Sequence, residues 1–294
     1  MKVSTTTLLL AAALGVAAHP SGHSHKHMHR SAVEKRTDFF IAKKPAPPAA
    51  SPTYVAPPPA APPATTPSTQ PPASSPSGSG SGTGPSLYTP FCGGKSNKRA
   101  TAAEIAYKGN VGTPGNYGCN LMLIQTSIVN KYDYTVTFSN AGSQDQKCAC
   151  WNKIGPDNGI NGFFNGNQAL TFDLPAGSKQ AIAADSNTQG GCSCGAGALS
   201  LTSFGQFAGS WVEFDFGNQS NGGWSGADAS CLVAAKNGLA IPGLNVCSSG
   251  TCSTINPGGT GKNAYLSGME AADGVGLNLP AGKVNLQVTV DYKG

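Results

Sequence analysis

Glu213 and Asp215 stand two apart in Trp211-Val212-Glu213-Phe214-Asp215-Phe216, where acids alternate with aromatic residues. On an extended strand that spacing places both carboxylates on one face and Phe214 and Phe216 on the other. Asp228 follows shortly after, at the start of a short helix expected over Ala227 to Lys236. Three carboxylates could therefore converge on one cleft. A carboxyl pair is what glycoside hydrolysis requires: one protonates the leaving oxygen, the other acts as base or nucleophile. Glu213 and Asp228 are the catalytic candidates. The plainer alternative is a solvated acidic strand face, with Asp228 favoured by the helix dipole at that N-terminus. Trp151, Trp211 and Trp224, with Phe163, Phe164 and Tyr117, could supply sugar-stacking rings. Trp151 and Trp224 lie in Gly/Asn-rich segments and are expected at the surface. The candidate carbohydrate-binding set is thus Glu213, Asp215, Asp228, Trp151 and Trp224.

All five histidines lie between His19 and His29. The rest of the chain therefore offers no Ser-His-Asp or Cys-His nucleophile system and no His-ligated zinc site. Copper chemistry built on an N-terminal His19 would need a second histidine from the folded region, and none exists there. No cofactor and no metal are expected. The nine cysteines are expected to pair in an oxidising compartment. Cys247 and Cys252 flank a Ser-Ser-Gly-Thr turn and suggest a local hairpin bridge. Cys148-Ala149-Cys150 and Cys192-Ser193-Cys194 could be joined by two bridges, or could present four thiolates on one face to a metal. Disulfides are the reading the compartment favours. One of Cys92, Cys119 and Cys231 is left over.

These residues need a scaffold, and the chain divides by composition. Residues 1–18 read as a signal peptide: Lys2, an apolar run from Leu8 to Val16, and a small-residue cleavage pattern at Val16-Ala17-Ala18. Residues 19–36 form a His-rich segment ending in the dibasic pair Lys35-Arg36, a processing site that would make it a propeptide. Residues 37–87, dominated by Pro, Ala, Ser and Thr, read as an extended, disordered linker. Residues 88–294 carry the aromatic and alternating apolar pattern of one domain, long enough for a sizeable core.

The net charge of +5 belongs to the amino-terminal part, because residues 86–294 carry twelve basic and twelve acidic side chains. A neutral domain argues against nucleic acid as a partner. No second apolar run is long enough to span a membrane.

Tyr132, Tyr134, Val136 and Phe138 alternate with polar residues, as do Val284, Leu286, Val288 and Val290. Both runs read as half-buried strands. Shorter strands are expected over Ala169 to Leu174, Ala181 to Ala184 and Trp211 to Phe216, with turns such as Gly155-Pro156-Asp157-Asn158-Gly159 between them. The fold class is mainly β, an antiparallel β-sandwich with short helices and disulfide-stapled loops. Asn218-Gln219-Ser220 is an N-glycosylation sequence in a polar loop.

The segments Tyr107-Lys108-Gly109-Asn110-Val111-Gly112, Trp151-Asn152-Lys153-Ile154-Gly155-Pro156-Asp157, Glu213-Phe214-Asp215-Phe216, Gly223-Trp224-Ser225-Gly226 and Val290-Asp291-Tyr292-Lys293 resemble the secreted fungal family typified by Aspergillus allergen four. The resemblance implies an extracellular, allergen-like protein without an established enzymatic role. A more distant likeness is to thaumatin-like proteins, through Cys192-Ser193-Cys194-Gly195, Trp211-Val212-Glu213-Phe214, Asp228-Ala229-Ser230 and Gly238-Leu239-Ala240-Ile241-Pro242. It implies a thaumatin-like sandwich in which Glu213 and Asp228 line an acidic cleft for β-1,3-glucan. Ser193 stands where that family has an acid, and the cleft arginine has no match around Ala183 to Thr188.

Three functions follow. The first is a secreted or cell-wall-associated, non-enzymatic protein that binds wall polysaccharide. The second is a β-1,3-glucanase using Glu213 and Asp228. The third is a secreted effector or elicitor whose partners are host immune components.

Overall fold

A computed structural model of the chain describes residues 82–94 and 109–294. The predicted signal peptide, the His-rich segment, the Lys35-Arg36 pair and most of the predicted linker lie outside the described residues.

Strict alternation makes Val284–Val290 a strand with one dry face. Val284, Leu286, Val288 and Val290 are buried, while Asn285 and Gln287 are exposed. This strand, β15, is central in a seven-stranded sheet. The spatial order is β13 (Gly261–Lys262), β12 (Thr251–Ile255), β11 (Leu244–Ser248), β15, β4 (Tyr134–Asn140), β7 (Lys179–Ala184) and β3 (Leu121–Ile124). The second sheet has six strands. They run β14 (Leu277–Leu279), β10 (Trp224–Ser230), β9 (Trp211–Asn218), β8 (Thr188–Ala196), β5 (Gln146–Asn152) and β6 (Leu170–Leu174). A two-stranded ribbon, β1 (Gly112–Thr113) and β2 (Asn116–Tyr117), stands apart from both.

The sheets face each other across one core. Val136, Phe138, Ile182, Val246 and Leu286 from the seven-stranded sheet meet Cys148, Cys150, Val212, Phe214 and Phe216 from the six-stranded sheet. The fold is therefore mainly β and two-layered. Among its strand pairs it departs from a purely antiparallel sandwich once: β15 runs parallel to β4, with Val284 opposite Tyr134 and Val290 opposite Asn140. Alternation sets which face of a strand is buried but does not name its neighbour or its direction, so the sequence left this pair open.

The expected helix over Ala227 to Lys236 is a strand for its first half. Ala227, Asp228, Ala229 and Ser230 pair with β9, and only Leu232–Lys236 (α1) is helical. Local composition favours a helix there, but pairing with β9 along the stretch, with β14 at Ala227 and with Tyr265 at Ser230, overrides it. Asp228 is thus a mid-strand residue and not a helix-terminal one.

Residues 82–87, read from composition as the end of the linker, lie against the seven-stranded sheet. The backbone N–H of Thr83 donates to Oε1 of Gln180 at 2.6 Å, and the Gln125 N–H donates to the Pro85 carbonyl at 3.1 Å. Further along this arm, the Tyr132 hydroxyl donates to the Thr89 carbonyl and accepts from its N–H.

Four disulfides hold the fold. Cys148 bonds Cys194 and Cys150 bonds Cys192, across directly opposed positions of β5 and β8. Cys247 bonds Cys252 within the β11–β12 hairpin, whose turn residues Ser249 and Gly250 both have positive φ, the conformation a two-residue hairpin loop needs. Cys92 bonds Cys119, tying the arm down, and Cys231 is a free, buried thiol.

Candidate functional site

The outward face of the six-stranded sheet holds the chemistry. Along β9, Val212, Phe214 and Phe216 enter the core, which turns Trp211, Glu213 and Asp215 to the opposite face. Strand β10 sets Asp228 directly opposite Glu213. Opposed residues of an antiparallel pair share a face with Cβ atoms about 5 Å apart. On the other side of β9, strand β8 sets Gln189 opposite Asp215. Three carboxylates and one amide therefore share a patch.

Two residues that the sequence reading did not place in this patch complete it. Lys153 follows β5, and its backbone N–H donates to the Gln189 carbonyl at 2.8 Å. Its Nζ donates to Gln189 Oε1 at 2.6 Å. Burial pushes this ammonium down to about 8, and the nearby Asp215 charge opposes the shift. The parity of β5 was the available signal, because Lys153 lies two residues beyond Trp151. Tyr265 is the second. It is brought in by paired backbone bonds: its N–H donates to the Ala229 carbonyl, and its own carbonyl accepts from Cys231. Burial, then the Asp228 and Glu213 charges, raise its hydroxyl above the ordinary tyrosine value. Nothing in the sequence near Tyr265 signals this placement.

The cluster does not line an open groove. Glu213, Asp215 and Asp228 are 1%, 3% and 0% exposed, and Lys153 is 3% exposed. The segment before β14 comes down onto Asp228: a Cβ on Gly276 would lie 2.7 Å from the Asp228 Cβ, so only glycine fits there. The residues of the cleft expected from the sequence thus form a covered, charged cluster. Burying several charges together requires that they compensate one another, and Lys153 supplies the opposite sign beside Asp215.

The aromatic part of the predicted set divides. Trp151, expected at the surface, is 1% exposed. Its indole stacks on Phe207 at 5.0 Å and meets Trp211 edge-on at 5.0 Å, with Phe163 in the same cluster. Its Gly/Asn-rich neighbours are exposed at Pro156, Asp157, Asn158, Asn165 and Gly166, whereas Trp151 itself belongs to β5 and is buried there. Trp224 is half-buried at the bulged start of β10. Tyr117, also half-buried, directs its hydroxyl to the carbonyls of Ile154 and Asn167. Burial pushes its hydroxyl up to about 12.

The expected glycosylation site is corrected as well. Asn218 is 1% exposed, and its Nδ2, the atom a glycan would occupy, donates to Asp215 Oδ2 at 2.6 Å. Its Oδ1 accepts from Ser220 Oγ and from the Asn221 N–H. The amide caps the turn between β9 and β10 and braces the acidic cluster.

Among the described residues, no group of three or more His, Cys, Asp or Glu side chains is arranged to hold a metal ion. No helix among them is long and apolar enough to cross a membrane.

Comparison with known proteins matches residues 119–290 to the family model described as the Allergen Asp f 4-like domain. Allergen Asp f 4 of Aspergillus fumigatus is 35% identical over 197 residues, which is 66% of this chain and 60% of the relative's length. Among solved structures, the protein elicitor MoHrip2 from Magnaporthe oryzae overlaps 54% of this chain and 99% of its own, at 12% identity and a TM-score of 0.32. The thaumatin-like xylanase inhibitor TLXI overlaps 53% of this chain and 97% of its own, at 11% identity and a TM-score of 0.34.

Proposed function

The chain belongs to the Allergen Asp f 4-like family, and from that premise we propose that it is a secreted, wall-associated fungal protein that binds cell-wall β-glucan without hydrolysing it. One observation carries this reading: the two carboxylates best placed for glycoside hydrolysis, Glu213 and Asp228, are 1% and 0% exposed. Hydrolysis needs an acid within reach of the glycosidic oxygen and a second carboxylate at the sugar ring. A covered pair, held beside Tyr265 and near Lys153 and Asp215, braces the sheet instead. Sugar contact then falls to groups at the surface, of which Trp224 is the indole available to stack on a pyranose. Four disulfides support an extracellular setting, since such bonds persist in oxidising compartments.

Retention of the purified chain on insoluble β-1,3-glucan, with chitin as a parallel matrix, tests the binding. Trp224→Ala is expected to weaken retention roughly tenfold, equivalent to about 1.4 kcal/mol of stacking. No retention of the wild type on either matrix would sink the binding half of the proposal.

The glucanase reading is favoured by one observation, the direct opposition of Glu213 and Asp228 across β9 and β10. Laminarin digestion separates the two. Hydrolysis by the wild type that disappears in Glu213→Gln, Asp228→Asn would overturn the non-enzymatic reading.

A further inference from the structure

The four disulfides differ in what surrounds them. Cys148–Cys194 and Cys150–Cys192 lie between the sheets, with no cysteine more than 7% exposed. Cys92 and Cys119 are half-buried, and Cys119 Sγ lies 3.8 Å from Thr113 Oγ1. Cys252 alone among the eight bonded cysteines is exposed, and its partner Cys247 is half-buried. Both point away from the core, because Leu244, Val246, Ser253 and Ile255 take the inner face of the hairpin. On that outer face Asn245 Nδ2 donates to Cys247 Sγ at 3.2 Å. The amide is held in this orientation by Thr254, whose hydroxyl donates to Asn245 Oδ1 at 2.7 Å. Asn245 and Thr254 are themselves directly opposed, two pairs along from the two cysteines and so on the same face.

This is the arrangement that thiol–disulfide exchange uses. An incoming thiolate attacks the sulfur it can reach, the bond breaks, and the electron pair passes to the other sulfur. The rate rises as that leaving thiolate is better stabilised. Here the reachable sulfur is Cys252, and the leaving sulfur is Cys247 with an oriented N–H donor already upon it. We propose that Cys247–Cys252 is a thiol-exchange site, in which a low-molecular-weight or protein thiolate attacks Cys252 and expels the Cys247 thiolate against the Asn245 amide. The product is a mixed disulfide at Cys252 and a thiolate at Cys247. A second thiolate can then release Cys252 and carry away the oxidising equivalent as its own disulfide, or Cys247 can attack back and expel the first.

Opening this bond leaves the fold intact. The hairpin keeps its ladder from Leu244–Ile255 to Ser248–Thr251, and β11 stays paired with β15 on its other edge. The closed loop is also the shortest of the four, with a sequence separation of 5 against 27, 42 and 46.

Graded reduced glutathione added to the full native chain, with timed alkylation and peptide mass mapping, tests the site. Glutathione on Cys252 and alkylation on Cys247 are expected at least tenfold faster than labelling of the other six bonded cysteines, with an unchanged near-ultraviolet circular dichroism spectrum. Asn245→Ala is expected to slow that step about tenfold, and Thr254→Val, which keeps the amide but releases its orientation, to slow it less. Opening of Cys92–Cys119 first, or equal rates in the wild type and both variants, would overturn the proposal. A denatured Asn245→Ala protein would leave Thr254→Val to decide it.

Discussion

Lys153 shows how a single buried charge becomes a measurable property. Its folded value of about 8 lies below the ordinary lysine value of 10.5, so between those limits the unfolded chain binds more protons than the folded one. Stability contributed by this residue therefore rises with pH across that window and is complete above it. Cys231 and Tyr117 act in the opposite sense. Burial pushes them up to about 11 and about 12, so their contributions fall as pH rises above their ordinary values. Denaturant titrations of wild type and Lys153→Met at pH 7 to 10 should show the wild type gaining on the variant as pH rises. A constant difference would contradict the assignment. Two mass measurements check other single residues. Peptide N-glycosidase should leave the mass at Asn218 unchanged, because its amide nitrogen is engaged with Asp215. Iodoacetamide should add to Cys231 only after denaturation, since this thiol is 1% exposed and burial raises it. At this scale the sequence disclosed that Glu213 and Asp215 share a face, because strand parity is local. It did not disclose that the patch is covered, because the covering residues, Tyr265 and Gly276, come from far along the chain.

The arm of residues 82–94 is the element whose role was least visible from composition. Its one cysteine, Cys92, is bonded to Cys119, and its first residues are gripped by Gln180 from β7. Gln180 is 2% exposed. Its Nε2 reaches the carbonyls of Thr83, Ile124 and Ala181, while its Oε1 accepts from the N–H and hydroxyl of Thr83. Gln180→Ala strands several of these groups at once and should cost about 2–3 kcal/mol. In a domain of this size that corresponds to a melting temperature lower by roughly 4–12 °C, readable by calorimetry. A change below one degree would mean that the arm is not part of the cooperative unit. Strand β10 teaches the converse lesson. Ala227 to Ser230 carry no β signal of their own and become a strand because β9 pairs with all four, with β14 beyond Ala227 and Tyr265 beyond Ser230. Strands β4, β9 and β15, by contrast, were legible because their apolar residues alternate within a single uninterrupted run.

Across the whole molecule, stability rests on the layer between the sheets and little on surface charge. The ion pairs Lys147–Asp173 and Lys283–Asp133 join side chains that are all more than half exposed, and such pairs contribute little. Leu286, fully buried in β15, is a better probe. Leu286→Ala should cost about 2–5 kcal/mol. A two-layer β architecture was readable from many short alternating runs separated by turns. The order of strands within each sheet was not, since it depends on pairings between segments up to about 150 residues apart, as β4 and β15 are.

That parallel pair has a consequence for synthesis. β15 lies between β11 and β4, so two blocks of the larger sheet remain unjoined until residues 284–290 have left the ribosome. A nascent chain holding every earlier strand still shows two raw edges, on β11 and β4, and lacks the Val284, Leu286, Val288 and Val290 side chains of the core. Closure is thus a late, long-range step of high contact order, and slow for that reason. Until it occurs neither block has a neighbour on its inner edge, which makes the β15 segment the keystone on which the larger sheet waits.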